Sequence, residues 1–120
     1  MGIYLNPPAD GFEDILQDNM YVDKTGLITY TNQVMRTSRK LTCVSRPRRF
    51  GKSYAAQMLV AFYSKGADSR HLFEALRVSN PPEDLTKEER RQELINYEQY
   101  LNQCDVLFWD MTWVISTAEK

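Results

Sequence analysis

The 120-residue chain contains one histidine, two cysteines and five glycines, and from residue 24 to residue 67 it has no aspartate or glutamate. Each shortage excludes something. A single histidine rules out a multi-histidine metal site. Cys43 and Cys104 have no paired spacing, and Cys43, in an apolar run, reads as a small core residue. No apolar run approaches the length needed to cross a bilayer. The first residues lack the basic-then-apolar order of a secretory signal, and Asn6 breaks the myristoylation pattern that Met1 and Gly2 would begin. The compartment expected is the reducing cytoplasm, with no membrane partner.

The missing acids leave a charge pattern behind. Nine basic residues occupy the acid-free window: Lys24, Arg36, Arg39, Lys40, Arg46, Arg48, Arg49, Lys52 and Lys65. A net charge of −1 therefore conceals a positive stretch that would attract polyanions, either a nucleotide or a nucleic-acid backbone. The plainer reading is a solvated basic face answered by acidic helices.

At the centre of that window, Leu41, Thr42, Cys43 and Val44 form a short apolar run of the kind that makes a buried strand. Residues 45–53 follow as Ser-Arg-Pro-Arg-Arg-Phe-Gly-Lys-Ser. Ala55, Met58, Leu59 and Phe62 then recur at helical spacing, with Gly66 as a stop. Strand, turn, Gly-Lys-Ser and helix are the layout of a phosphate-binding (Walker A) loop. Amides at the helix start face an anion, a lysine reaches the β- and γ-phosphates, and a hydroxyl helps hold Mg²⁺. The alternative is an ordinary basic turn.

Two residues change the loop's character. Arg46 stands where the pattern has its first glycine, and Pro47 fixes φ and offers no N–H. Arg46, Arg48 and Arg49 supply full charges in place of lost dipoles, since guanidinium forks match phosphate oxygens. The candidate nucleotide contacts are thus Arg46, Arg48, Arg49, Phe50, Gly51, Lys52, Ser53 and Tyr54. Lys52 is the candidate catalytic group, and Ser53 the Mg²⁺ ligand through ATP.

Elsewhere the pattern is mainly helical. Phe12, Ile15 and Leu16 suggest one short helix. Asp23 is a good N-cap for a second, with Leu27, Thr31, Val34 and Met35 on one face. Ser69 caps a short helix carrying Leu72, Phe73 and Leu76, and His71 reads as a surface residue. Asn80, Pro81 and Pro82 break the chain. Thr86 and Glu89 form a capping box opening a long polar helix with an inner stripe of Leu94, Tyr97 and Leu101. Residues 105–111 read as a second strand. There Val106, Leu107, Phe108 and Trp109 precede Asp110, either a metal-side carboxylate in the manner of Walker B or a strand-end cap. Trp109 and Trp113 read as packing residues.

The string at 45–53, together with Tyr-Val-Asp-Lys-Thr-Gly-Leu-Ile at 21–28, resembles the N-terminal part of AAA-ATPase-like proteins that usually carry a C-terminal PD-(D/E)XK nuclease-like domain. The likeness covers most of residues 1–65 and continues weakly through residues 100–112. It implies a partial P-loop NTPase-type parallel sheet with flanking helices, and in that family arginine at the place of Arg46 is the normal form. It also offers Tyr21 to Thr25 as a border of the adenine side, against the simpler role of a capped helix start. Family members are several times longer, and their acidic Walker B segment lies beyond the region present here. No nuclease signature occurs in this chain.

The domain expectation is the N-terminal portion of an AAA-like domain over 1–120: a helical lead-in (1–40), strand–loop–helix (41–66), then helices and a second strand (67–120). The functional expectation is an ATP- and Mg²⁺-binding module, a fragment needing the rest of an ATPase chain or an oligomer for efficient hydrolysis. The alternative is a module that grips nucleic-acid phosphates without hydrolysis.

Overall fold

A computed structural model describes residues 5–18, 21–42, 52–65 and 67–108. Five helices are present among them: α1 (Asp10–Leu16), α2 (Gly26–Val34), α3 (Lys52–Tyr63), α4 (Arg70–Phe73) and α5 (Lys87–Tyr100), with one 3-10 turn (Arg77–Ser79) before α5. No described helix is long and apolar enough to cross a membrane.

The core is built around the second half of α3. Met58, Val60, Ala61, Phe62 and Tyr63 are all buried, and so is Ser64 just beyond. Phe62, with no exposure, meets the edge of Phe73 at 5.4 Å between centroids, lies 4.9 Å from Tyr63, and tilts against Tyr97 at 5.7 Å. Phe12 of α1 stacks on the other side of Phe73 at 5.1 Å. Burying an aromatic of this size is worth about 1.5–3 kcal/mol, with up to ~1.5 kcal/mol more from edge and offset ring geometry. This cluster fixes α1, α3, α4 and α5 to one another.

Polar ties set the rest. The Asp23 carboxylate accepts from the Thr25 amide (2.9 Å), the Thr25 hydroxyl (2.6 Å) and the Arg77 amide (2.7 Å). Thr25, fully buried, accepts in turn from the Val78 amide at 3.0 Å. The start of α2 is thereby stitched to the 3-10 turn. Asp23 is not the N-cap expected of it: Thr25 holds that place, and Asp23 ties the approach instead. On α2 Val34 is buried as expected and Leu27 and Met35 pack half-buried on the core, but the deepest positions also include Ile28 and Asn32, which the expected face did not include. Asn32 is inside because the Tyr63 hydroxyl donates to its Oδ1 at 2.5 Å.

The capping box at α5 forms as read, with the Glu89 amide donating to Thr86 Oγ1 and the Glu89 side chain returning to Thr86. Its inner stripe is Tyr97, Tyr100 and Leu101, whereas Leu94 is 42% exposed. Glu93 takes the inward place one step earlier, paired with Arg77 at 3.1 Å.

The expected P-loop NTPase-type parallel sheet is contradicted. The described residues contain no strand, only single bridges at Leu5↔Leu107 and Ser64↔Cys104. The reasons are local. Leu41 is 89% exposed, so the described start of its apolar run buries nothing. In the second candidate strand, Val106 pairs with the backbone and side chain of Asn6, and the Cys104 carbonyl accepts from the Lys65 amide. Hydrogen bonding is spent on turns and one asparagine, so among the described residues no ladder extends beyond one residue. Residues 43–44 and 109–111 of those runs lie outside the described residues.

Candidate nucleotide-binding site

The helix that matters is α3, which begins at Lys52, where the Gly-Lys-Ser pattern places a helix start. The first amides of any helix have no intrahelical acceptor and carry the positive end of its dipole. No acidic residue stands in the first turn of α3 to occupy them. Tyr54, in that turn, is 58% exposed and Ala55 half-buried. Among the described residues of α3, Tyr54 near its start is exposed and the far end lies in the core.

The anchoring of α3 is lopsided. Near its start, α3 packs on α1, where Gln57 lies so close to Gly11 that a Cβ there would sit 2.5 Å from the amide oxygen. At its end, Asn102 does most of the holding. The Asn102 amide donates to the carbonyls of Ala61 (3.1 Å), Phe62 (3.3 Å) and Ser64 (3.0 Å), and its Oδ1 accepts from the Ser69 amide (3.1 Å). Its backbone N–H reaches the Phe62 carbonyl at 2.7 Å, and Cys104 N–H the Tyr63 carbonyl at 2.9 Å. Helix carbonyls that have no partner of their own are thus closed by a distant segment. Ser69 stands at the N-cap of α4 but gives no side-chain cap, because its hydroxyl donates to Ala61 (2.5 Å).

The Tyr63 hydroxyl sits 2.6 Å from Thr31 Oγ1 as well as bonding Asn32, which joins α3 to α2. Burial pushes its ionisation well above the ordinary tyrosine value, outweighing the Thr31 hydrogen bond. Sequence reasoning missed both Asn102 and Tyr63. Asn102 did leave a signal: an asparagine just after a helix commonly takes a left-handed conformation there, and its φ is 55°.

Among the described residues, two charges of the basic window are placed by contacts at the core end. The guanidinium of Arg36 lies over the Tyr100 ring, 6.0 Å from its centroid, and Lys65 pairs with Asp105 at 3.6 Å. Lys65 is thirteen residues along from Lys52, past the far end of a helix about 18 Å long. These charges serve the core end, not the start of α3. Burial also raises the Cys104 thiol, against the pull of Lys65 and Arg36.

Of the candidate site residues, the structure places the backbone of Lys52 and Ser53 on the first turn of α3, with Tyr54 beside them. The expectations for Arg46, Arg48, Arg49, Phe50, Gly51 and Asp110 lie outside the described residues, as do the Lys52 and Ser53 side chains. Cys43, Gly66, Trp109 and Trp113 are outside as well. His71 is exposed, as read. Among the described residues no group of three His, Cys, Asp or Glu is placed to hold a metal ion.

Residues 9–104 match the model of a protein family described as AAA-ATPase-like, predicted AAA-ATPase. No curated protein and no solved structure matches the chain. The match spans most of the sequence and contains the first turn of α3, so the chain belongs to the AAA-ATPase-like family.

Proposed function

We propose that the chain binds ATP with Mg²⁺ at the start of α3. The observation that carries this reading is a helix opening on Lys52 and Ser53, with no carboxylate in its first turn, inside a chain of the AAA-ATPase-like family. Lys52 places a mobile positive charge on the β- and γ-phosphates. The Ser53 hydroxyl ligates Mg²⁺, and the amides of residues 49–53 cradle the phosphate oxygens. Arg46, Arg48 and Arg49 add charge where Pro47 removes an amide donor, and Phe50 and Tyr54 flank the loop. Bound Mg²⁺ neutralises phosphate charge. Catalysis at such a site is positioning and charge stabilisation, with Lys52 the group in contact with the transferred phosphoryl.

The test is calorimetric titration of Mg-ATP into wild type and Lys52→Ala. The expected result is a loss of affinity of at least about tenfold in the variant, the scale of one charged hydrogen bond to phosphate. Equal affinity for the two proteins overturns the reading. The competing possibility, a grip on nucleic-acid phosphates, predicts single-stranded DNA binding that falls steeply with salt and is not displaced by ATP.

A further inference from the structure

The flank of α5 beside its inner stripe carries two apolar side chains left largely in solvent among charged ones. Leu94 and Ile95 are 42% and 46% exposed and lie in an open groove bordered by Lys87, Arg90, Arg91 and Glu98. All six belong to the same helix. We propose that this flank docks α5 of a second copy of the chain, antiparallel, about a two-fold axis between Leu94 and Ile95.

Charge order selects that occupant. Residues equally far from the axis face one another across it, so Leu94 meets Ile95, and three residues further out Arg91 meets Glu98, twice by symmetry. Arg91 and Glu98 are seven residues apart and share one line along the helix. Arg90 meets Gln99, and no like charges face each other along α5 in this register. A parallel pairing would set Arg91 against Arg91 and Glu98 against Glu98, which is repulsive. Glu98 is already held for the purpose. Arg70 grips both its oxygens at 2.7 and 2.8 Å while lying over the Tyr97 ring, and each oxygen keeps a lone pair for a second donor.

The contact is small. A fourteen-residue helix is about 21 Å long, and a strip of that length falls well short of the ~800 Å² per partner of a stable interface. Association is therefore weak and weakened further by salt.

Sedimentation of the full chain between roughly 0.02 and 1 mM at low salt tests this, spanning the range of a transient contact. The average mass of wild type is expected to rise with concentration. Arg91→Glu alone and Glu98→Arg alone each stay monomeric, because each sets like charges together. An equimolar mixture of the two associates, since both contacts between the unlike chains are then attractive. Helical circular dichroism checks that each variant keeps α5 folded, since Glu98→Arg also gives up the exposed pair with Arg70, which contributes little to stability. A wild type that is monomeric throughout overturns the proposal, as does a mixture that associates no better than its components. So does a chain that stays monomeric while taking up an acidic helical peptide on this face.

Discussion

Asn102 separates two physical effects that usually arrive together. Its side chain closes the core end of α3 through three carbonyls and accepts from Ser69, and its backbone sits at φ 55°. Replacement by glycine keeps the conformation and loses the amide. The Ala61 carbonyl keeps the Ser69 hydroxyl and the Phe62 carbonyl keeps the residue-102 backbone N–H, so the main loss is at the Ser64 carbonyl and the Ser69 amide, together about 1–2 kcal/mol. Replacement by alanine loses the same bonds and adds about 1 kcal/mol for a Cβ in the left-handed region. The order expected is wild type, then Asn102→Gly, then Asn102→Ala. Urea unfolding followed by helical circular dichroism reads it, with an unchanged slope in denaturant. Alanine equal to or more stable than glycine would refute the conformational part of the argument. Both variants within about 0.5 kcal/mol of wild type would refute the clamp.

Three further outcomes follow from the same geometry. Tyr63→Phe strips the donor from buried Asn32 and should cost about 1–3 kcal/mol at neutral pH by urea titration. The folded state also resists ionising Tyr63, so wild-type stability falls as pH rises past about 10, where the unfolded chain loses that proton; the variant loses part of this slope, while Tyr21 and Tyr97, also raised by burial, retain the remainder. At Asp23 burial raises the carboxyl, but the Thr25 hydroxyl, the Thr25 and Arg77 amides and the Arg77 charge together hold it below the usual range. Its contribution is present above the ordinary carboxyl value and lost as pH falls through the folded one, so Asp23→Ala should flatten the acid limb of thermal stability against pH. Thr86→Ala removes one half of the capping box and should lower stability by about 1 kcal/mol in a thermal melt.

How far the sequence could be read depended on whether a signal was local. The capping box needs only Thr86 and Glu89, and it formed where read. The start of α3 is set by the pattern at 51–53 and appears where expected. Burial depends on partners distant in sequence, and there the reading failed. Leu94 has the right spacing for an inner stripe, yet α5 is polar on every side, so hydropathy could not fix which way it turns. The decision went to Tyr97 and Tyr100, with Glu93 admitted because Arg77 pairs with it. Leu41 begins an apolar run and is 89% exposed, since nothing local says whether a run finds a sheet. Asn32 and Tyr63 satisfy each other across thirty-one residues, a polar pairing that no hydropathy pattern reveals.

The central claim is that the phosphates of ATP sit on the first turn of α3. Amide hydrogen exchange of the full chain with and without Mg-ATP measures this most directly. Slowed exchange confined to residues 46–55 is the predicted result, with no such slowing in Lys52→Ala. Slowing that appears elsewhere but not in that turn, or that survives in Lys52→Ala, would contradict the account.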